Sequence, residues 1–143
     1  MTQKPHPTAS GRLPVLALLA ASTLLGACAG MGEDIAPEPL DQRLLKLGYR
    51  QGEAVNTVPG FGLSGWNYVD EYHIQVEDGP GREYLLSFAI SCRELAYVER
   101  IGYTTTAGIF GRMERIRAHS TGMPVDCPVS QIHKLERVER SRK

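Results

Sequence analysis

Three cysteines and one acid–histidine run are the parts of this sequence whose residue types and spacing could do chemistry. Asp70, Glu71 and His73 follow closely on Trp66. A carboxylate beside an imidazole can move protons or hold a metal ion, and residues two apart on a strand share a face, so Glu71 and His73 could point together. Trp66, with Tyr68, Tyr72, Tyr84 and Tyr103, could add an aromatic surface for a sugar or peptide ligand. Trp66, Asp70 and His73 are therefore the candidate ligand-binding set. The competing reading is that strand edges carry such polar groups in water and that the aromatic rings pack strands together. His119 and His133 are far apart and read as surface residues. Ser64, in Gly62-Leu63-Ser64-Gly65, lacks the strand-turn-helix setting of a nucleophile elbow. The run Thr104 to Thr106 needs only β propensity to explain it, and Gly60, Gly62 and Gly65 precede no helix that would cradle a phosphate. No catalytic set, metal site or cofactor is expected.

Cys28 closes a leader in three parts. Residues 1–12 are polar and cationic with Lys4, His6 and Arg12, residues 13–25 are apolar, and Leu25-Gly26-Ala27-Cys28 follows. That order is the one a secretory signal requires. A branched aliphatic, two small residues and a cysteine form the pattern of a lipobox. Small residues let the scissile bond reach a signal peptidase, and the thiol accepts diacylglycerol. Residues 1–27 are read as the removed leader and Cys28 as the lipidated first residue. An ordinary signal peptide cut near Ala27 is the alternative. The apolar run is shorter than the ~20 residues a spanning helix needs. With Cys28 assigned to lipid, Cys92 and Cys127 remain as a pair for an oxidising compartment. The other readings are two free thiols, or metal ligands that lack finger-spaced histidines.

Without Lys4 and Arg12 the chain carries 14 Lys and Arg against 16 Asp and Glu. So mild an acidic balance argues against a nucleic-acid partner. Residues 28–39 hold Gly, Pro and acids without periodicity and read as a tether. Ala29 after the lipid-bearing cysteine favours the periplasmic face of the outer membrane by the sorting rule usual in enteric bacteria. Residues 40–143 form one domain.

The elements that must position these groups follow from periodicity. Leu40, Leu44 and Leu47 predict a short helix over 40–47, with Pro39 in its first turn and Gly48 as its stop. From Phe61 the pattern is that of strands. One strand is marked by Trp66, Tyr68 and Val69; His73 to Val76 alternates, and residues 77–81 make a turn. Tyr84 to Ile90 is nearly all apolar, as in a central strand buried on both faces. Cys92 to Val98 suggests a second short helix, with Ser91 as its cap. Ile101 to Thr106 is rich in β formers and breaks at Ala107-Gly108. Arg112 to His119 alternates apolar and charged residues. A loop through Gly122 and Pro124 leads to Cys127-Pro128-Val129, and Ile132, Leu135 and Val138 close a last strand or short helix. The basic tail with Arg137, Arg140, Arg142 and Lys143 is expected to fray. The fold class is α+β, mainly antiparallel β: a small sheet or partly open barrel with a short N-terminal and a short central helix.

The segments Tyr49-Arg50-x-Gly52, Gly65-Trp66-x-x-Val69-Asp70-x-x-His73, Arg82-x-Tyr84-Leu85-Leu86, Cys92-x-x-Leu95, Ile101-Gly102 and Cys127-Pro128-Val129 resemble an uncharacterised family of small proteobacterial lipoproteins, a domain of unknown function. The likeness covers about residues 44–136. Its most specific part is the pair of cysteines. Where that pattern has an aromatic–aspartate step, this chain has Met113-Glu114. The resemblance implies an envelope location and paired cysteines, and it brings no activity. Together these readings lead to a lipid-anchored envelope protein that binds an envelope protein or a cell-wall partner, or supports the envelope structurally. The alternative is a small hydrolase or metal-dependent enzyme using Asp70, Glu71 and His73.

Overall fold

The structure is a computed structural model and describes residues 36–139. The expected leader, Cys28, the tether up to residue 35, and Arg140, Arg142 and Lys143 lie outside the described residues. Helix α1 (Leu40–Leu47) forms where the leucine spacing places it. Pro39 is its N-cap rather than a first-turn residue, and Pro39 C=O accepts the amides of Gln42 and Arg43. Gly48 ends it at φ 88°, a left-handed conformation that glycine adopts without a Cβ clash.

Among the described residues nine strands follow: β1 (Tyr49–Val55), β2 (Thr57–Pro59), β3 (Gly65–Asp70), β4 (His73–Glu77), β5 (Glu83–Phe88), β6 (Gly102–Tyr103), β7 (Ile109–Gly111), β8 (Arg115–Ser120) and β9 (Met123–Arg137). All pairings among the described residues are antiparallel. The main sheet runs β3-β4-β5-β9-β8-β6 and curls into a half-barrel. β1 also pairs with β9, and β2 and β7 form a separate two-stranded sheet.

Strand alternation sorts the apolar residues into two cores. Ile74, Val76, Leu86, Phe88, Ile116, Val129 and Ile132 face one side, which β2 and β7 cover with Val58 and Phe110. Leu85 and Leu135 face the other side, where Leu44 of α1 and Val69 complete a smaller cluster. The neighbours Leu85 and Leu86 are both fully buried, on opposite faces, so β5 is the doubly covered strand its composition predicts. Each such leucine contributes about 2 kcal/mol through burial.

β9 organises the sheet. Its second half pairs with β5 on one edge and β1 on the other, and its first half pairs with β8. Val129 exchanges hydrogen bonds with Glu114 and Met113, so odd-numbered residues of this segment face β8. Pro124 and Pro128 therefore face the opposite edge, where a missing N–H breaks no β8–β9 bond.

Several expectations need correction. The central helix is a five-residue 3-10 turn (Arg93–Tyr97), so the described residues hold one α-helix. Cys92, not Ser91, is its N-cap, because Ser91 Oγ donates to Glu71 instead. The expected loop through Pro124 is only a tight turn at Thr121-Gly122, after which β9 begins at Met123. Of the two readings for the segment from Ile132, strand or short helix, the strand is found, and it ends at Arg137 before Val138. Arg137 does not fray: it ends β9, with Nη2 2.6 Å from Oε1 of the buried Glu83. Burial, then a hydrogen bond with Glu83, raises the Tyr49 pKa beside this pair.

The chain between β7 and β8 turns over residues 111–114, closed by Glu114 N–H to Gly111 C=O at 3.2 Å. Met113 holds the third position at φ 81°, where a type II turn favours glycine, and its side chain is 86% exposed. The left-handed strain on Met113 exceeds the entropy cost of a glycine, and almost no burial is lost on removing it. Met113→Gly is therefore expected to stabilise the domain by about 0.5–1 kcal/mol. A lowered urea midpoint in that variant would contradict this account of the turn.

Candidate functional site

The β3–β4 hairpin places the acid–histidine run at its turn. Asp70 Oδ1 accepts the Tyr72 amide at 2.8 Å and lies 2.7 Å from His73 Nδ1. An ionised carboxylate only accepts, so this contact draws a proton to Nδ1 and leaves Nε2 of a neutral ring as the acceptor. Both side chains are about one-fifth exposed. His73 is in register with Ser87 of β5.

Glu71 does not share this arrangement. It lies in the turn, where strand parity no longer applies. Its Oε2 accepts Ser91 Oγ at 2.6 Å, and its carbonyl accepts Cys92 N–H at 2.7 Å. Glu71 pins the hairpin turn to the loop after β5, so Asp70 and not Glu71 is the partner of His73. Trp66 is also apart from the pair. It is in register with Val76 and packs, with Tyr68, against the main core. His73 neighbours Ile74 of that core and therefore faces the other side of the hairpin. The structure joins Asp70 to His73 and leaves Trp66 on the opposite face.

His119 is exposed on β8, whereas His133 of β9 keeps a buried Nδ1 without a partner. No group of three or more His, Cys, Asp or Glu among the described residues is arranged to hold a metal ion. Glu114 accepts the hydroxyls of Thr104 and Thr106, which hold its carboxyl below the usual range.

Cys92 and Cys127 are joined as a disulfide with Cα atoms 6.2 Å apart, within the usual span for such a bridge. The bridge ties the 3-10 turn to the first half of β9. It also forms the floor of a cleft of about 320 Å³ between loop residues 90–94 and the β8–β9 turn. A shallower cleft of about 600 Å³ lies beside Asn56, Arg112, Met113 and Pro128. Neither was evident in the sequence, because residues 90, 94 and 123 belong to no common period.

The buried acids Asp78 and Glu83 were also missed. Asp78 accepts the Gly62 amide at 2.8 Å and so fixes the loop between β2 and β3. The acid in the turn over 77–81 was a signal for it.

Fold and site thus define a small disulfide-bridged antiparallel β protein with one covering helix, a carboxylate–histidine pair at a hairpin turn and a cleft over its disulfide. No helix among the described residues is long and apolar enough to cross a membrane. The model of the family of unknown function DUF6491 matches residues 12–143, and the chain belongs to that family. No curated protein and no solved structure matches it.

Proposed function

We propose that this chain is an envelope lipoprotein, held by acyl chains on Cys28, whose folded domain is a non-enzymatic binding or structural module on the periplasmic face of the outer membrane. The observation that carries the reading is the pairing of Cys92 with Cys127. Of three cysteines it leaves only Cys28, which stands directly after Leu25-Gly26-Ala27 and a cationic-then-apolar leader. A disulfide in so small a domain also fits an oxidising compartment. Ala29 favours the outer membrane, and the tether to Pro39 lets the domain reach a protein or cell-wall partner.

Growth with an alkyne-bearing palmitate is expected to label the wild-type chain and not Cys28→Ser. Density fractionation should place the labelled chain with outer-membrane markers. Equal labelling of both chains, or an unmodified thiol at the processed N-terminus, would end the reading.

One observation favours a second reading, a small hydrolase or metal-dependent enzyme: the 2.7 Å contact that orients the His73 imidazole. With Glu71 engaged by Ser91, the work falls to Asp70 and His73. That reading predicts a stoichiometric metal, or an ester hydrolysis lost in His73→Ala. A metal-free protein whose hydrolysis of test esters is unchanged by His73→Ala would dispose of it.

A further inference from the structure

The cleft over the disulfide has features that point to an occupant. Its lips are apolar and solvent-facing: Ile90 is 51% exposed and Met123 69%. Glu94 and Asp126 line it, and no lysine or arginine does. Asp126 shares its charge with Arg115 at 3.1 Å. Residues three apart in a 3-10 helix eclipse one another, so Tyr97 stands on the same side as Glu94. Tyr97 is 84% exposed, a large ring left in water beside the cleft. Thr121, on the rim, holds φ 49°, a left-handed conformation that a β-branched residue rarely adopts. With Gly122 at φ 80° it forms the two-residue turn of the β8–β9 hairpin, which requires both residues in that region.

We propose that this cleft is the docking site for a protein partner, and that it takes a lysine or arginine side chain flanked by apolar residues. The walls fit the apolar stem of such a side chain, and Glu94 fits its charged head, with Asp126 already held by Arg115. About 320 Å³ suits one or two side chains rather than a whole folded element. Strand addition does not compete. β5 covers the edge of β9 only as far as Pro128, whose carbonyl accepts Ala89 N–H. Beyond it, the open edge offers Asp126 between two prolines that lack an N–H. An anionic membrane surface is disfavoured by the same two carboxylates. The proposal relies on the envelope reading above only for where the partner is sought.

Photocrosslinking in native cells tests it. A benzoyl-phenylalanine replaces Met123 in the full chain, and Gln51 on the exposed strand β1 in a control. Crosslinks from position 123 should exceed those from position 51 and map to a partner peptide with a lysine or arginine next to apolar residues. Glu94→Lys should reduce them about tenfold or more, as expected for reversing one close charge at an interface. Changing the mapped partner residue to glutamate should then restore them. An intact disulfide and an unchanged urea midpoint in Glu94→Lys show that the fold is kept. Crosslinks no stronger at 123 than at 51, insensitivity to Glu94→Lys, an acidic partner peptide, a second copy of this chain or lipid as the product would each overturn the proposal. Palmitate labelling of the same cells reads the anchor separately. Loss of the label with charge-dependent crosslinks intact would sink the anchor and spare the cleft.

Discussion

Replacing Cys92 and Cys127 together by alanine is expected to remove roughly 3–4 kcal/mol of stability, the chain-entropy value for a loop of this size. The bridge closes a separation of 35 residues, from the start of the 3-10 turn to the first half of β9. That loop contains β6, β7 and β8, the part of the fold with the shortest strands. β6 has two residues and β7 three, so backbone pairing alone holds them weakly. Cross-linking their flanks limits the unfolded chain most where the folded chain is held least. Both half-cystines are buried, so alanine also removes apolar contacts there. Domains of this size are stable by only about 5–15 kcal/mol, so the loss would be visible in any urea titration. Reduced wild-type protein should fall to nearly the midpoint of the double variant. A double variant within about 1 kcal/mol of the oxidised wild type would mean that the bridge does not constrain the fold as described.

The sequence carried the elements whose burial is periodic. The leucines of α1, the alternation of His73 to Val76, the apolar run of β5 and the alternating charges of β8 each appear where one face meets a core. It did not carry β1, β2 and β7. β1 is mostly exposed, and Gly52 interrupts it at a bulge between Gln51 and Ala54. A Cβ on Gly52 would lie 3.0 Å from the Lys134 carbonyl, so the residue is set by a close approach that no period reports. β2 and β7 are too short to show alternation. β9 was divided because Gly122 and Pro124 read as a loop, although Pro124 and Pro128 both lie within the strand. Only the pairing of its neighbours shows that their missing amides face the open edge.

The same logic separates the site residues. The cysteine pair was legible from a count of thiols, which needs no geometry. Asp70 and His73 were legible as neighbours, yet their partnership depended on where strand gave way to turn. Moving that boundary one residue exchanges Asp70 for Glu71 as the partner of the ring. Trp66 was grouped with them by proximity in sequence, whereas parity along the hairpin sends it to the other face. The cleft residues Ile90, Glu94 and Met123 come from separate segments, and only tertiary packing brings them together.

Phe110→Ala is expected to cost about 3–5 kcal/mol, the range for deleting a fully buried phenylalanine. Phe110 sits in the middle of three-residue β7, opposite Val58 of β2. Its ring stacks on Phe61 with centroids 4.5 Å apart, and the edge of Tyr103 meets it at 6.0 Å. A lone two-stranded sheet is marginal in water, so β2 and β7 stay in place because this ring is seated in the main core. Without it the pair should lift locally before the main sheet melts. Amides of Thr57, Val58 and residues 109–111 should then exchange faster than those of β4 and β5. Phe110→Leu, which keeps much of the volume, should lose less and preserve that protection. The two probes decide between a hinge and a simple loss of packing. A full 3–5 kcal/mol loss with uniform acceleration across all strands would show that β2 and β7 unfold only with the whole domain. A loss under about 1 kcal/mol would show that the ring is not seated in the core at all.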